Sequence, residues 1–437
     1  MLAPAAWGQA PATAETQRMQ DQITEQQKAL QALQATLAEQ QKQLAAMQTP
    51  AAAAPKLEVA KPIPAPLKWY EKYTFRGYVQ VRDNRVYTSN KNLTCPQCDS
   101  AMGGNTNFSL RRARLVITGD VNEHINLFFQ TEFAQTISGA LHVAQIRDLY
   151  ADISLDKKKE YRIRVGQSKV PFGWENMQSS QNRLALDRTD AINSAAPGER
   201  DMGVFFYYAP AKIRTRLAAL AAAGTGGLKG SGDYGVFALG VYNGQSISRP
   251  EANNSVHTVA RVAYPWQLKN GQVIEAGLQA YTGRFTVDTR TAGVKGPADF
   301  TFKDRRVAGN FIVYPKPLGF QAEFDAGTGP SYNPNSNTIQ NRRVRGGYAQ
   351  TMYMKKLGSQ VLTPFYRFQY YSGGKKQELD ARRYLVRDHD IGLEWQQSNF
   401  LEVTGQYSFS DRTYEDAGKP NNRQKGNMFR IQVQINY

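Results

Sequence analysis

Cysteine is almost absent: the 437 residues hold two, Cys95 and Cys98, too few for a disulfide-held scaffold. No stretch approaches ~18 uninterrupted apolar residues, which excludes a membrane protein built of helices. Four histidines, His124, His142, His257 and His389, are scattered without HExxH spacing, and no GxSxG elbow occurs. Acid is scarce beside base, with 37 Asp and Glu against 54 Lys and Arg. What is present argues against disorder: aromatic residues make up 11% of the chain. With 41% hydrophobic and 21% charged residues, three classes remain: a globular α/β protein, a large soluble β protein, or a transmembrane β-barrel. The third hides its membrane signal, because alternating apolar and polar residues keep the average polar.

The net charge of +17 points to anionic partners. Six basic and five acidic residues precede Trp69, so about +16 of that charge follows it. The opening MLAPAAWGQA reads either as a floppy start or as the tail of a secretory signal, within a segment spanning 1–14. Residues 15–48 lack Gly and Pro and carry a seam of alternating four- and three-residue spacing through Met19, Ile23, Gln26, Leu30, Leu33, Leu37, Gln40, Leu44 and Met47. That heptad pattern predicts an α-helical coiled coil, and leucine at its a positions leans away from dimers. The Pro- and Ala-rich stretch 49–68 predicts an extended linker that holds the coiled coil away from the body.

From 69 to 437 the hydrophobic period becomes two. Phe429, Ile431, Val433, Ile435 and Tyr437 alternate with Arg430, Gln432, Gln434 and Asn436. Runs of this kind predict sixteen antiparallel strands of about ten residues, the length that crosses a bilayer when tilted. The connections alternate between short turns (119–124, 156–159, 268–271, 315–319, 356–359, 397–399) and long polar loops (86–107, 171–201, 244–254, 287–299, 328–344, 372–383, 411–427). Short turns on one side and long loops on the other predict a barrel rather than a soluble sandwich. The stretch 210–232 breaks that parity, being long where a short turn is due. Aromatics near strand ends, among them Tyr264, Trp266, Tyr314, Tyr366, Tyr370 and Tyr437, suit interfacial girdles.

If the apolar faces meet lipid, the interior receives Arg76, Arg82, Arg112, Arg114, Arg162, Arg164, Arg261, Arg306, Arg367 and Arg430. The long connection after strand five begins near Lys169, brings Arg183 and Arg188, and is expected to fold inward and narrow the pore. These thirteen cations are the candidate anion-binding lining, since rings of Arg or Lys in a pore favour anions. Acids share the interior (Asp148, Asp152, Glu275, Glu323, Asp325, Glu394 and Glu402), so for any single arginine a wall-spanning ion pair is the competing assignment. The CPQC pair at Cys95 and Cys98 is read as a local disulfide of an oxidising compartment in preference to half a metal site. No catalytic residue, cofactor or metal is expected, nor a nucleic-acid partner.

Three segments, LRRARLVITGDVNEHINLFFQTEF (110–133), RDLYADISL (147–155) and above all YRIRVGQSKVPFGWENMQSSQNRLALDR (161–188), resemble the phosphate-selective porin O/P family, as does GVYNGQ (240–245). The resemblance covers roughly 70–437, and a preceding coiled coil with a Pro/Ala linker is common in relatives, including dicarboxylate-channel-like porins. It implies a sixteen-stranded homotrimeric channel of a Gram-negative outer membrane, set among outer-membrane lipid and lipopolysaccharide, with the coiled coil in the periplasm. It implies passive uptake of small anions, phosphate or organic anions such as dicarboxylates, past an inward-folded third loop. The alternative is a structural envelope protein that tethers the outer membrane through its coiled coil.

Overall fold

The computed structural model describes residues 14–47, 68–84, 90, 93, 108–137, 140–247 and 249–437. The expected leader, the 49–68 linker save Lys68, and the expected Cys95–Cys98 disulfide lie outside these residues. The chain divides into two units between Pro66 and Leu67.

The first unit is one helix, α1 (Ala14–Met47). Its seam residues Met19, Ile23, Leu30, Leu33, Leu37 and Leu44 are all more than half exposed.

The second unit is a closed antiparallel barrel of sixteen strands. In chain order these are β1 (Tyr73–Asp83), β2 (Phe108–Asp120), β3 (Ile125–Ile137), β4 (Ala140–Ser154), β5 (Tyr161–Lys169), β6 (Arg200–Tyr208), β7 (Phe237–Tyr242) and β8 (His257–Gln267). They continue as β9 (Val273–Thr286), β10 (Thr301–Val313), β11 (Leu318–Asn333), β12 (Thr338–Tyr353), β13 (Gln360–Gly374), β14 (Arg383–Gln396), β15 (Leu401–Glu415) and β16 (Arg423–Asn436). A short piece, Lys355–Leu357, prolongs the line of β12 past a break at Met354 and pairs with the same partner, β13. Closure is made between first and last strands, Tyr78 opposite Asn436 and Asp83 opposite Ile431. Backbone bonds Gly77 N to Tyr437 O (2.7 Å) and Tyr437 N to Gly77 O (3.0 Å) seal the seam.

The wall is inverted relative to a soluble protein. Leu278 is 66% exposed on the outside, whereas Gln80, Arg82, Glu275, Asp304 and Gln406 are fully buried inside. Such a face is stable only against lipid, where closed barrels leave no unpaired backbone. Short turns do fall at one end. The loops expected at 328–344 and 411–427 are shorter than predicted, because β11 and β12 run to 16 residues each and β15 and β16 to 15 and 14. Their hairpins carry the ladder past the ~9–11 residues a membrane crossing needs, so polar composition there marks strand outside lipid rather than loop.

The irregular 210–232 segment is ordered. Helix α4 (Ala211–Ala221) buries Ile213, Leu217 and Leu220 on one face, the four- and three-residue spacing of a helix stripe. Arg214 donates to the Lys159 carbonyl (2.6 Å) and Arg216 to the Pro265 carbonyl (2.8 Å). Beyond the helix, Thr225 N donates to Asn399 (2.9 Å), and Lys229 reaches Glu394 (2.9 Å) and Glu402 (3.4 Å). These partners sit in the β4–β5 turn, at the end of β8, in the β14–β15 turn and on β14 and β15, so the segment crosses the short-turn mouth of the barrel.

Candidate pore and its constriction

The connection between β5 and β6 folds into the lumen, as expected, and nearly all of residues 170–199 are buried. It carries helices α2 (Trp174–Met177) and α3 (Asp190–Ala195). (α2 and α3 precede α4 in the chain.) Apolar packing seats one flank: Phe172 meets Tyr281 edge-on at 4.8 Å, and Trp174 packs with Leu220 of α4, Val273 and Tyr314. Hydrogen bonds fix the turn itself. Lys169 Nζ donates to the carbonyls of Asn176, Met177 and Gln178 at 2.7–3.2 Å, and the Trp174 and Glu175 amides donate to Glu323.

Ion pairs hold the far flank. Asp187 takes Arg82 (2.9 Å), Arg430 (2.5 Å) and Arg111 (3.3 Å). Asp190 takes Lys375 (2.5 Å) and Arg412 (3.1 Å), and Arg367 bridges Glu175 (3.2 Å) and Asp390 (2.7 Å). Arg306 pairs with Asp325 (2.8 Å) and donates to Ser194 of α3, while Arg261 pairs with Glu275 (3.4 Å). Burial alone would raise the Asp187 carboxyl, but Arg82, Arg430 and Arg111 outweigh it and hold it well below the usual carboxylate range. Five of the thirteen candidate lining cations, Arg82, Arg261, Arg306, Arg367 and Arg430, are thus engaged in wall-to-wall or wall-to-loop pairs.

The other eight gather between the loop and β1–β6, where all but Arg76 and Arg112 also meet a carboxylate among the described residues. A chamber of about 890 Å³ lies there, bounded by Arg76, Arg114, Arg162, Arg164 and Lys169, by loop residues Ser179 and Gln181, and by α4 through Arg214 and Ala218. Arg76 projects into it exposed and makes no ion pair with any described residue. Arg164 pairs with Asp152 (2.7 Å) and lies 3.8 Å over the Tyr150 ring, which stacks on Phe128 at 5.0 Å. Arg162 reaches Asp233 (2.8 Å) at the foot of the crossing segment.

The chamber adjoins a buried charge cluster through Arg114, Asp148, Lys169 and Arg200. Arg112, Arg114, Arg147, Lys169, Arg183, Arg188 and Arg200 surround three carboxylates, Glu132, Asp148 and Glu199. Burial pushes Glu199 up, yet Arg188, Lys169, Arg183 and Arg200 together hold it well below its ordinary value. Seven cations against these three anions leave a positive excess in a buried, low-dielectric space, where anions gain most.

Two interior arginines, Arg147 and Arg111, are turned inward by register shifts within their strands. Arg147 has the parity of the lipid face, but Gln130 opposes Asp148 while Thr131 opposes Ile146, so Arg147 is the extra residue of a β-bulge and turns inward to the Gly198 carbonyl (3.0 Å). Arg111 is likewise skipped between Gln80–Arg112 and Val81–Leu110 and reaches Asp187. Period-two reading puts both outside; only the doubled RR at 111–112 hints that one must be displaced. Arg200, Arg214, Arg412, Lys229, Lys375 and Lys376 are further interior cations that were not among the candidates.

The family model for phosphate-selective porin O and P matches residues 95–437. The outer-membrane channel DcaP of Acinetobacter baumannii has a similar structure, with a TM-score of 0.50 and 13% identity over 84% of this chain and 97% of that one. Salmonella typhi OmpF, solved with daunomycin, gives a TM-score of 0.50 and 11% identity over 84% and 97%. At these identities the likeness is one of fold. No curated protein sequence matches the chain.

Proposed function

The chain belongs to the phosphate-selective porin O and P family and is an outer-membrane porin; from that premise we propose that it forms a homotrimeric channel for passive, anion-preferring diffusion of small solutes, phosphate or organic anions such as dicarboxylates. The observation that supports the anion preference is the excess of seven cations over three carboxylates in the buried cluster beside the chamber. Guanidinium groups replace part of an anion's hydration, and several sites of moderate strength let it leave again. Arg76, Arg112, Arg114, Arg162, Arg164, Lys169, Arg183 and Arg188 line this route. Arg82, Arg261, Arg306, Arg367 and Arg430 act on it indirectly, by holding the loop and wall.

In a planar bilayer with a KCl gradient the reversal potential is expected to have the sign of anion preference, and phosphate or succinate is expected to reduce the chloride current. Arg147→Glu changes the local charge by two units and should lower the anion-to-cation permeability ratio by roughly fivefold, the effect of about 1 kcal/mol. Cation preference in the unmodified protein would sink the reading. An unchanged ratio in the variant would remove the bulge arginine from the route.

Two features support the trimer. The heptad seam of α1 is exposed along its length. The outward faces of β2–β8 carry no Lys or Arg among the described residues, leaving an apolar wall suited to burial between copies. The short-turn end, with both barrel termini, is assigned to the periplasm, and α1 with it. Removing residues 14–47 is expected to leave single-channel current unchanged while lowering the temperature at which the trimer dissociates in detergent. If the trimer is untouched and envelope attachment weakens instead, α1 is a tether, and the structural reading takes its place.

A further inference from the structure

The outer wall is not uniform around the barrel. Outward positions at the long-loop ends of β9–β12 and β14 carry six exposed cations: Arg284, Lys303, Arg305, Arg343, Arg345 and Arg387. None is ion-paired among the described residues; the Arg305 guanidinium contacts only the Thr328 hydroxyl, at 3.2 Å. Their rows adjoin in the ladder. Arg284 faces Lys303, and Arg305 and Arg343 both face Thr328. No carboxylate occupies an outward position on β9–β12. Arg387 faces Asp411 of β15 and Asp299 of the adjoining loop lies within electrostatic reach of Arg284, whereas Lys303, Arg305, Arg343 and Arg345 face no carboxylate among the described residues and need an external counter-ion.

Directly beneath it, toward the membrane centre, lies an apolar groove of about 930 Å³. One ladder row explains its shape: Leu278, Gly309, Phe324, Gly347 and Tyr370 stand side by side across five strands. The two glycines leave channels between the large side chains, and Ala276, Ala322 and Ala349 in the next row carry them deeper. The Gly347 channel ends at Arg345, one outward position along β12. The Gly309 channel ends, past Val307, at Arg305.

We propose that this face is a docking site for a phosphorylated, acylated lipid of the outer leaflet, its phosphates on the arginine rim and its acyl chains in the two glycine channels. The proposal rests on the assignment of the long loops to the outside of the outer membrane. Charge and shape choose the occupant together. A second copy of the chain would have to bring carboxylates to the rim, whereas an acylated phospholipid supplies phosphate and hydrocarbon at the required spacing.

The test uses the full-length protein in detergent, titrated in native mass spectrometry with a bisphosphorylated, acylated glucosamine disaccharide and with the same glycolipid after its phosphates are removed. The unmodified protein is expected to retain the phosphorylated form at concentrations at least about tenfold lower than the dephosphorylated form. Arg343→Glu/Arg345→Glu should abolish that advantage. Gly309→Leu should also weaken binding with the rim intact; a Cβ there meets the Leu278 side chain at 3.4 Å and the Gly277 carbonyl at 3.9 Å, ordinary contacts that the wall can accept. Single-channel current and reversal potential, read on the same preparations, should be unchanged, since these positions face away from the pore. That readout separates a failure of the lipid site from a failure of the channel assignment. Equal retention of the two glycolipids, or full retention by Arg343→Glu/Arg345→Glu, would overturn the proposal. So would loss of the trimer in that variant with lipid retention intact, which would make the face a subunit interface.

Discussion

Replacing Asp187 by alanine is expected to release the third loop and raise single-channel current several-fold. Asp187 is the shared anion of Arg82, Arg430 and Arg111, and its loss leaves three guanidinium groups inside the barrel without that counter-ion. Removing one partner of a buried pair costs about 3–5 kcal/mol, more than the loop gains from any single remaining hydrogen bond. The barrel itself does not depend on the loop, because a continuous backbone ladder closes it. The damage should therefore appear as a wider, noisier pore in a folded protein. Trypsin gives a second readout: Arg183 is buried and Arg188 half-buried in the native loop, and both should become cleavable in the variant. Current and protease resistance equal to the unmodified protein would show that Asp187 does not anchor the loop. Acid should not mimic the substitution. The folded-state affinity of Asp187 for a proton is depressed, so its contribution is fully present above the ordinary carboxylate range and is lost only as pH falls through the depressed value. The loop should accordingly stay in place down to about pH 4.

The second large effect concerns the other end of the channel. Substituting a two-residue turn for residues 211–232 should open the short-turn mouth, raise the current several-fold and weaken block by phosphate or succinate. The segment contributes Arg214 and Ala218 to the chamber lining and carries Leu220 against Trp174. Its removal takes away the chamber floor and one support of the third loop. Strands β6 and β7 stay paired, Gly203 with Tyr242 through Tyr208 with Phe237, so a short hairpin can join them. The two variants differ in signature. Asp187→Ala should expose the loop to protease. The shortened turn should chiefly change conductance and solute block. Unchanged current after shortening would mean that the main path bypasses the chamber.

The strand count was legible from period two alone, because a wall with lipid on one side and water or polar side chains on the other forces strict alternation. The ends of β11, β12, β15 and β16 were not, since strand beyond the membrane no longer needs an apolar face and its composition becomes that of a loop. Eleven of the thirteen candidate cations meet carboxylates, Arg76 and Arg112 being the exceptions among the described residues, and that division was invisible. Whether an arginine faces open passage or a carboxylate depends on how residues 170–199 fold across the lumen, and no local pattern encodes that. Arg147 shows the limit most sharply: a single extra residue reverses the parity on which the interior was assigned. The 210–232 stretch was recognisable only as an anomaly, because its partners, Lys159, Pro265 and Asn399, are dispersed over the whole barrel sequence.

The two bulges also bear on how such a pore diverges. Inserting or deleting one codon within a strand ordinarily swaps every later side chain between lipid and lumen, and would be lethal to the wall. At Arg111 and Arg147 the extra residue is absorbed on the spot and the ladder resumes in phase on either side. Each bulge is thus a position where a lineage can gain or lose a pore charge in a single mutational step, with strand number and lipid-facing surface preserved. Relatives lacking one residue at either point should carry a less positive throat in an otherwise superimposable barrel.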